Sequence, residues 1–379
     1  MSGRSASAVP DRAALGPTRH RLRLRVGLML AGGLAMLSGL YGGLARICLD
    51  LPAGGDLAQL HGPLMVSGLF GTLISLERAV AIKEGWAYLA PACSALATLM
   101  LLFGVPVPVG AALYVLAAAI LTAASARIAL AQPALFTLVL LAGAGCWLVG
   151  NLSWALGVEI SGLVGWWLAF FVATIAAERL ELSRFVQVPR RASSLFVAAI
   201  ATLLTGAGIG FVDPLGQRLF AAGLVAICLW LLRYDIARVT VRRTGQTRFF
   251  AVAMLSGYAW LGLSGLGLLA GAGGALSLGY DLTLHMVLIG FVLSMVFGHA
   301  LIILPAVAGV KLRYHRALYG PLGLLHLSVV ARVAGGALDL AQLRALSGVG
   351  TALSIGLFAA TLAWSAMRGA PDASKPAAR

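Results

Sequence analysis

DLTLHMVLIGFVLSMVFGHALIILPAV, residues 281–307, is the stretch that decides the fold. It is apolar and long enough to cross a bilayer, which takes about 20 predominantly apolar residues. Yet it carries His285 near one end and His299 near the other. Ionisable side chains inside a membrane span are rare and mark functional sites. In an ideal α-helix the second histidine lies roughly 40° around from the first and about 21 Å further along the axis. One helix face would then present two candidate ligands at two membrane depths.

Composition sets the frame for this stretch. Of 379 residues, 60% are hydrophobic and 11% charged, with a mean hydropathy of +0.95. Soluble domains carry about 25% charge, so the chain reads as a polytopic membrane protein. The net charge of +15 does not indicate nucleic acid, because the basic residues fall in short loops between apolar runs. The partner is the lipid bilayer. Cys48, Cys93, Cys146 and Cys228 sit in or beside different apolar runs with no CxxC spacing. They read as small buried residues rather than thiolate ligands or disulfides.

Outward from residues 281–307, the apolar pattern gives twelve spans. They run at about 26–49, 61–82, 86–105, 109–130, 134–156, 160–180, 194–212, 215–233, 249–271, 282–306, 317–338 and 345–367. Residues 1–25 form a basic tail, 26–368 the twelve-helix domain and 369–379 a second tail. The first run is too long for a signal-peptide core and lacks a clear cleavage site. With the first tail in the cytoplasm, 24 of the 28 Lys and Arg fall on the inner side. Only Arg46, Arg218, Arg332 and Arg344 are left outside. That asymmetry places both tails in the cytoplasm, at a bacterial inner membrane.

A faint repeat accompanies the count. Spans two and six both run inward and both end in Glu-Arg, Glu77–Arg78 and Glu178–Arg179, where span ten has His299–Ala300. Three units of four helices would set spans two, six and ten in equivalent places.

The chain has six histidines, and none lies between residues 62 and 284. His20 belongs to the tail and His315 to a basic loop. His61 opens span two and His285 opens span ten, at similar depth near the outer face. Two imidazoles on neighbouring helices at one depth meet the requirement of bis-histidine haem ligation. Another metal is a competing reading, as are plain structural histidines, with His61 capping a helix that Pro63 starts. Small residues below His61 (Gly68, Gly71, Thr72, Ser75) allow a helix or a flat ligand to approach. Arg46, Arg332 and Arg344 are candidate partners for haem propionates, against the alternative of interfacial snorkelling. His299 and His326, on adjacent spans, form a second candidate site for haem or copper. The alternative there is a buried polar pair. Glu77 and Glu178 are candidate proton or ion-path residues, against interfacial pairing. Asn151 and Ser153 read as interhelical hydrogen-bond formers.

Twelve spans, a threefold repeat and histidines on spans two and ten resemble the core subunit of the haem–copper oxidase superfamily. HMVLIGFVLSMVFGHALIILP, residues 285–305, is similar to spans in its short outlying relatives, among them the NnrS family. That resemblance implies an all-α membrane protein with haem b ligated by His61 and His285, and a redox or nitric-oxide-response role with a redox partner protein. It does not imply oxygen reduction. The oxidases' copper ligands on spans six and seven have no histidine counterparts here, and the GHTGR-like signature of NnrS proper is missing. Other function classes are a proton-coupled secondary transporter and a cofactor-free membrane assembly factor.

Overall fold

The computed structural model describes residues 19–47, 51–52, 54–183, 189–271 and 276–368. The protein is an all-α polytopic membrane protein, with no strand among the described residues. Eleven helices are long and apolar enough to cross a membrane. A shorter apolar helix, Trp86–Leu102, stands where the third span was expected. Its 17 residues reach about 26 Å at 1.5 Å per residue, slightly less than a hydrocarbon core of about 30 Å. The expected tails 1–18 and 369–379 lie outside the described residues, as do Cys48 and Arg184. Arg19–Arg25 are helical and open span one, seven residues earlier than the apolar pattern indicated.

The ends follow local chemistry. Asp213 caps span eight, Pro214–Tyr234: its carboxylate accepts from Leu215 N–H at 2.7 Å and Gly216 N–H at 3.3 Å, with Pro214 at the first helical position. Gly309, at φ 67°, ends span ten in the left-handed conformation that glycine adopts without a Cβ clash.

Spans two (Gly54–Ile82) and ten (Gly279–Ala308) are longer than the apolar pattern indicated. Asp56, Gln59 and Asp281 lie in their N-terminal turns and mask the helix there. His61 and His285 therefore do not open their spans. Each stands several residues inside the helix. Pro63 is likewise inside the helix rather than in its first turn.

Both spans also change helix type just past the histidine. Leu64–Gly71 and Met286–Leu293 are eight-residue π-helical stretches. Runs of i→i+5 bonding are rare and concentrate at functional sites. Pro63 supplies one cause in span two, since its missing N–H and ring clash disrupt the α-helical ladder. The π-helical stretch in span ten lies between His285 and His299, so the 40° offset computed for a pure α-helix does not apply to them. The wider turn advances each residue by less than 100°.

Three polar clusters tie the spans together. Ser67 in span two donates to Asn151 Oδ1 in span five at 2.8 Å, and Trp167 Nε1 in span six reaches the same oxygen at 3.2 Å. Trp147 Nε1 donates to Ser67 Oγ at 3.0 Å. Asn151 thus joins helices as expected. Arg179, near the C-terminal end of span six, pairs with Asp235 at 2.7 Å, both side chains fully buried. Arg332 in span eleven pairs with Asp281 in span ten.

Candidate functional site

A cavity of about 320 Å³ opens among spans one, two, six, ten, eleven and twelve. Its walls include His61 from span two and His285 from span ten. The three outer arginines singled out from sequence, Arg46, Arg332 and Arg344, line it too. So five residues scattered from position 46 to 344 meet in one space. The rest of the wall is chiefly apolar, including Phe70, Val164, Trp167, Leu288 and Ile355. Ligand pockets of roughly 300–1,000 Å³ with apolar walls and a few convergent polar groups are the usual small-molecule sites.

The histidines are held in a defined tautomer. His61 Nδ1 lies 2.6 Å from the Gly39 carbonyl oxygen. A carbonyl only accepts, so the ring proton is on Nδ1 and the Nε2 lone pair is free to ligate. His285 repeats the arrangement with Nδ1 2.7 Å from the Asp281 carbonyl. Asp281 also sets a carboxylate oxygen 3.2 Å from the same nitrogen. The small residues of span one make room for this. A Cβ at Gly43 would stand 2.7 Å from His61 Cε1 and 2.8 Å from Nδ1. Gly39 and Gly43, four apart on one face, let spans one and two close on the imidazole.

The three arginines are not equivalent. Arg332 donates to both Asp281 oxygens, Nε at 3.0 Å and Nη2 at 2.8 Å. Its fork is occupied by that carboxylate. Arg46 donates to the Ala58 carbonyl at 3.3 Å, a neutral partner. The Arg344 guanidinium has no hydrogen-bond or ion-pair partner among the described residues; only its backbone is bonded, to Leu340 and Ser347. Among the described residues, Arg46 and Arg344 at the cavity wall are therefore not neutralised by a carboxylate.

The second candidate pair, His299 and His326, is arranged differently. His299 Nδ1 donates to the Met295 carbonyl at 2.7 Å, leaving Nε2 as its acceptor nitrogen. Its ring stands edge-on to Phe250 at 4.5 Å. His326 is reversed: Trp260 Nε1 donates to its Nδ1 at 2.9 Å. In the neutral ring the proton is then on Nε2, which is buried without a partner among the described residues. Phe250 and Trp260 are ten residues apart on one helix, Gly245–Gly271, about 15 Å along its axis. Each histidine is engaged separately. Among the described residues, no three His, Cys, Asp or Glu side chains converge to hold a metal ion. Glu77 and Glu178 lie close enough to interact electrostatically.

Sequence reasoning missed four participants: Asp281, Tyr280, Gly39 and Gly43. Asp281 had a readable signal, an acid inside a membrane span four residues before a histidine. Gly39 and Gly43 form a small-xxx-small pair, which marks close helix approach. Tyr280 had no such signal.

A family model described as a domain of unknown function (DUF8744) matches residues 25–367. The chain belongs to that family. No curated protein matches it.

Proposed function

We propose that this member of DUF8744 holds haem b in the cavity between spans two and ten, with His61 and His285 as axial ligands through Nε2. One observation carries the reading. Two imidazoles from spans far apart in sequence line one cavity, each with Nδ1–H donated to a backbone carbonyl. A metal site built from a histidine pair needs its remaining ligands from elsewhere, and a porphyrin supplies four nitrogens. Arg46 and Arg344 would meet the anionic propionates, and the apolar wall would cover the macrocycle.

The protein's own residues do three things in this reading. Gly39 and the Asp281 carbonyl fix the imidazole tautomers. Gly43 gives the His61 ring its space. The apolar wall keeps water from the metal. The group itself supplies one-electron redox chemistry at iron. Were both His61 and His285 to hold the iron, it would offer no open position to a gas, which favours electron transfer over direct nitric oxide chemistry. The proposed role is redox or nitric-oxide-related electron transfer in a bacterial cytoplasmic membrane, with both tails inside and a redox partner protein. The copper reading of His299 and His326 would require His326 to release Trp260. His299 has the free nitrogen that copper requires, and His326 does not while Trp260 holds it.

The test is haem content. Protein purified from haem-replete cells should carry about one haem per chain by pyridine haemochrome. His61→Ala and His285→Ala should each lose it while keeping wild-type helicity. A second reading, proton-coupled transport, rests on the Glu77 and Glu178 carboxylates, which interact on neighbouring inner span ends. Substrate flux in liposomes that is abolished by Glu178→Gln would favour it.

A further inference from the structure

The two candidate axial histidines differ in what they donate to. His61 Nδ1–H meets only a neutral carbonyl, Gly39 O, at 2.6 Å. His285 Nδ1–H meets a carbonyl, Asp281 O, at 2.7 Å and in addition the Asp281 carboxylate at 3.2 Å. The Asp281 carboxylate is fixed in turn by both Arg332 contacts, and the Arg332 side chain is almost fully buried. The series Arg332, Asp281, His285 joins span eleven to the Nδ1–H of His285, across the ring from the Nε2 that would ligate. Among the described residues, span two has no such series at His61.

A carboxylate behind a ligating imidazole makes the ring a stronger donor and tunes the metal it holds. We infer that Asp281 is a positioning residue that sets the reduction potential of the site through His285. Arg332 serves it by holding the carboxylate in place and does not itself meet a propionate. This inference rests on the haem reading above and adds an asymmetry to it: span ten supplies the electron-rich ligand and span two the neutral one. The anionic charge behind His285 stabilises ferric iron over ferrous. Removing that charge while keeping the shape should therefore raise the potential.

The experiment is a spectroelectrochemical titration of the intact purified protein. Asp281→Asn keeps an oxygen acceptor at the same place and loses the charge. The ferric–ferrous equilibrium at fixed poise should move roughly tenfold toward ferrous, a positive shift of about 59 mV for one electron. Asp281→Glu should stay closer to wild type than Asp281→Asn. Arg332→Gln should shift the potential in wild type and much less in the Asp281→Asn background, because it acts through that carboxylate. Wild-type haem with equal potentials in wild type and Asp281→Asn would overturn the inference and leave the haem reading standing. So would an Arg332→Gln shift of the same size in both backgrounds. A wild-type protein without haem would overturn the haem reading instead. Should Asp281→Asn fold without retaining haem, the decision passes to Arg332→Gln alone, where an unchanged potential overturns the inference.

Discussion

His61 occupies its place because two glycines of span one allow it. Gly39 offers a carbonyl, and Gly43 leaves the space that a Cβ would fill at 2.7 Å from the ring. Gly43→Val should push the imidazole out of line and weaken haem retention roughly 10–100-fold, the scale seen when support of a metal ligand is lost. Haem-to-protein ratio after washing in detergent measures this, with circular dichroism confirming the fold. Arg344→Gln should lower the same ratio, since the Arg344 guanidinium has no competing partner among the described residues. At this scale the sequence was partly legible. Histidines and outer arginines stand out because charge inside or beside an apolar span is scarce. Nδ1 partners do not stand out, because Gly39 and Asp281 act through backbone carbonyls and every residue has one. His326 illustrates the limit. Its residue type suits a ligand, and only the Trp260 contact reveals the opposite tautomer.

Spans two and ten are where element-level reading and structure diverge. Their apolar centres were plain, but their N-terminal turns carry Asp56, Gln59 and Asp281, which made both helices look shorter than they are. The π-helical stretches Leu64–Gly71 and Met286–Leu293 left no hydropathy signal, because i→i+5 bonding leaves the same residues apolar. Ser67, inside the first of them, accepts from Trp147 Nε1 and donates to Asn151. Ser67→Ala should leave a buried indole N–H unpaired and cost about 1–3 kcal/mol, read as a fall in thermal midpoint in detergent. The Arg179–Asp235 pair fixes span six against the end of span eight. Asp235→Ala should cost about 3–5 kcal/mol, because it strands a fully buried guanidinium. A midpoint unchanged from wild type would show that the pair contributes nothing to holding these spans.

Across the whole molecule, hydropathy led directly to an all-α membrane protein, with eleven helices long and apolar enough to cross a membrane and a shorter apolar one where the third span was expected. The reason is physical: a bilayer forces backbone hydrogen bonds inside each helix, so apolar length alone marks a span. The convergence of residues 46, 61, 285, 332 and 344 on one cavity was not readable in that way. It depends on which helices neighbour each other, and hydropathy carries no such information. The proposed orientation has its own check. An alkaline phosphatase fusion after Gly157, in an expected outer loop, should be active, and one after Arg242, in an inner loop, inactive. A reduced-minus-oxidised spectrum of the purified protein tests haem binding between spans two and ten most directly. Wild type should show a haem b Soret difference band that is lost in His61→Ala and in His285→Ala and kept in His326→Ala. A folded, colourless wild-type protein from haem-replete cells would contradict it, as would a band that survives in either of the first two variants.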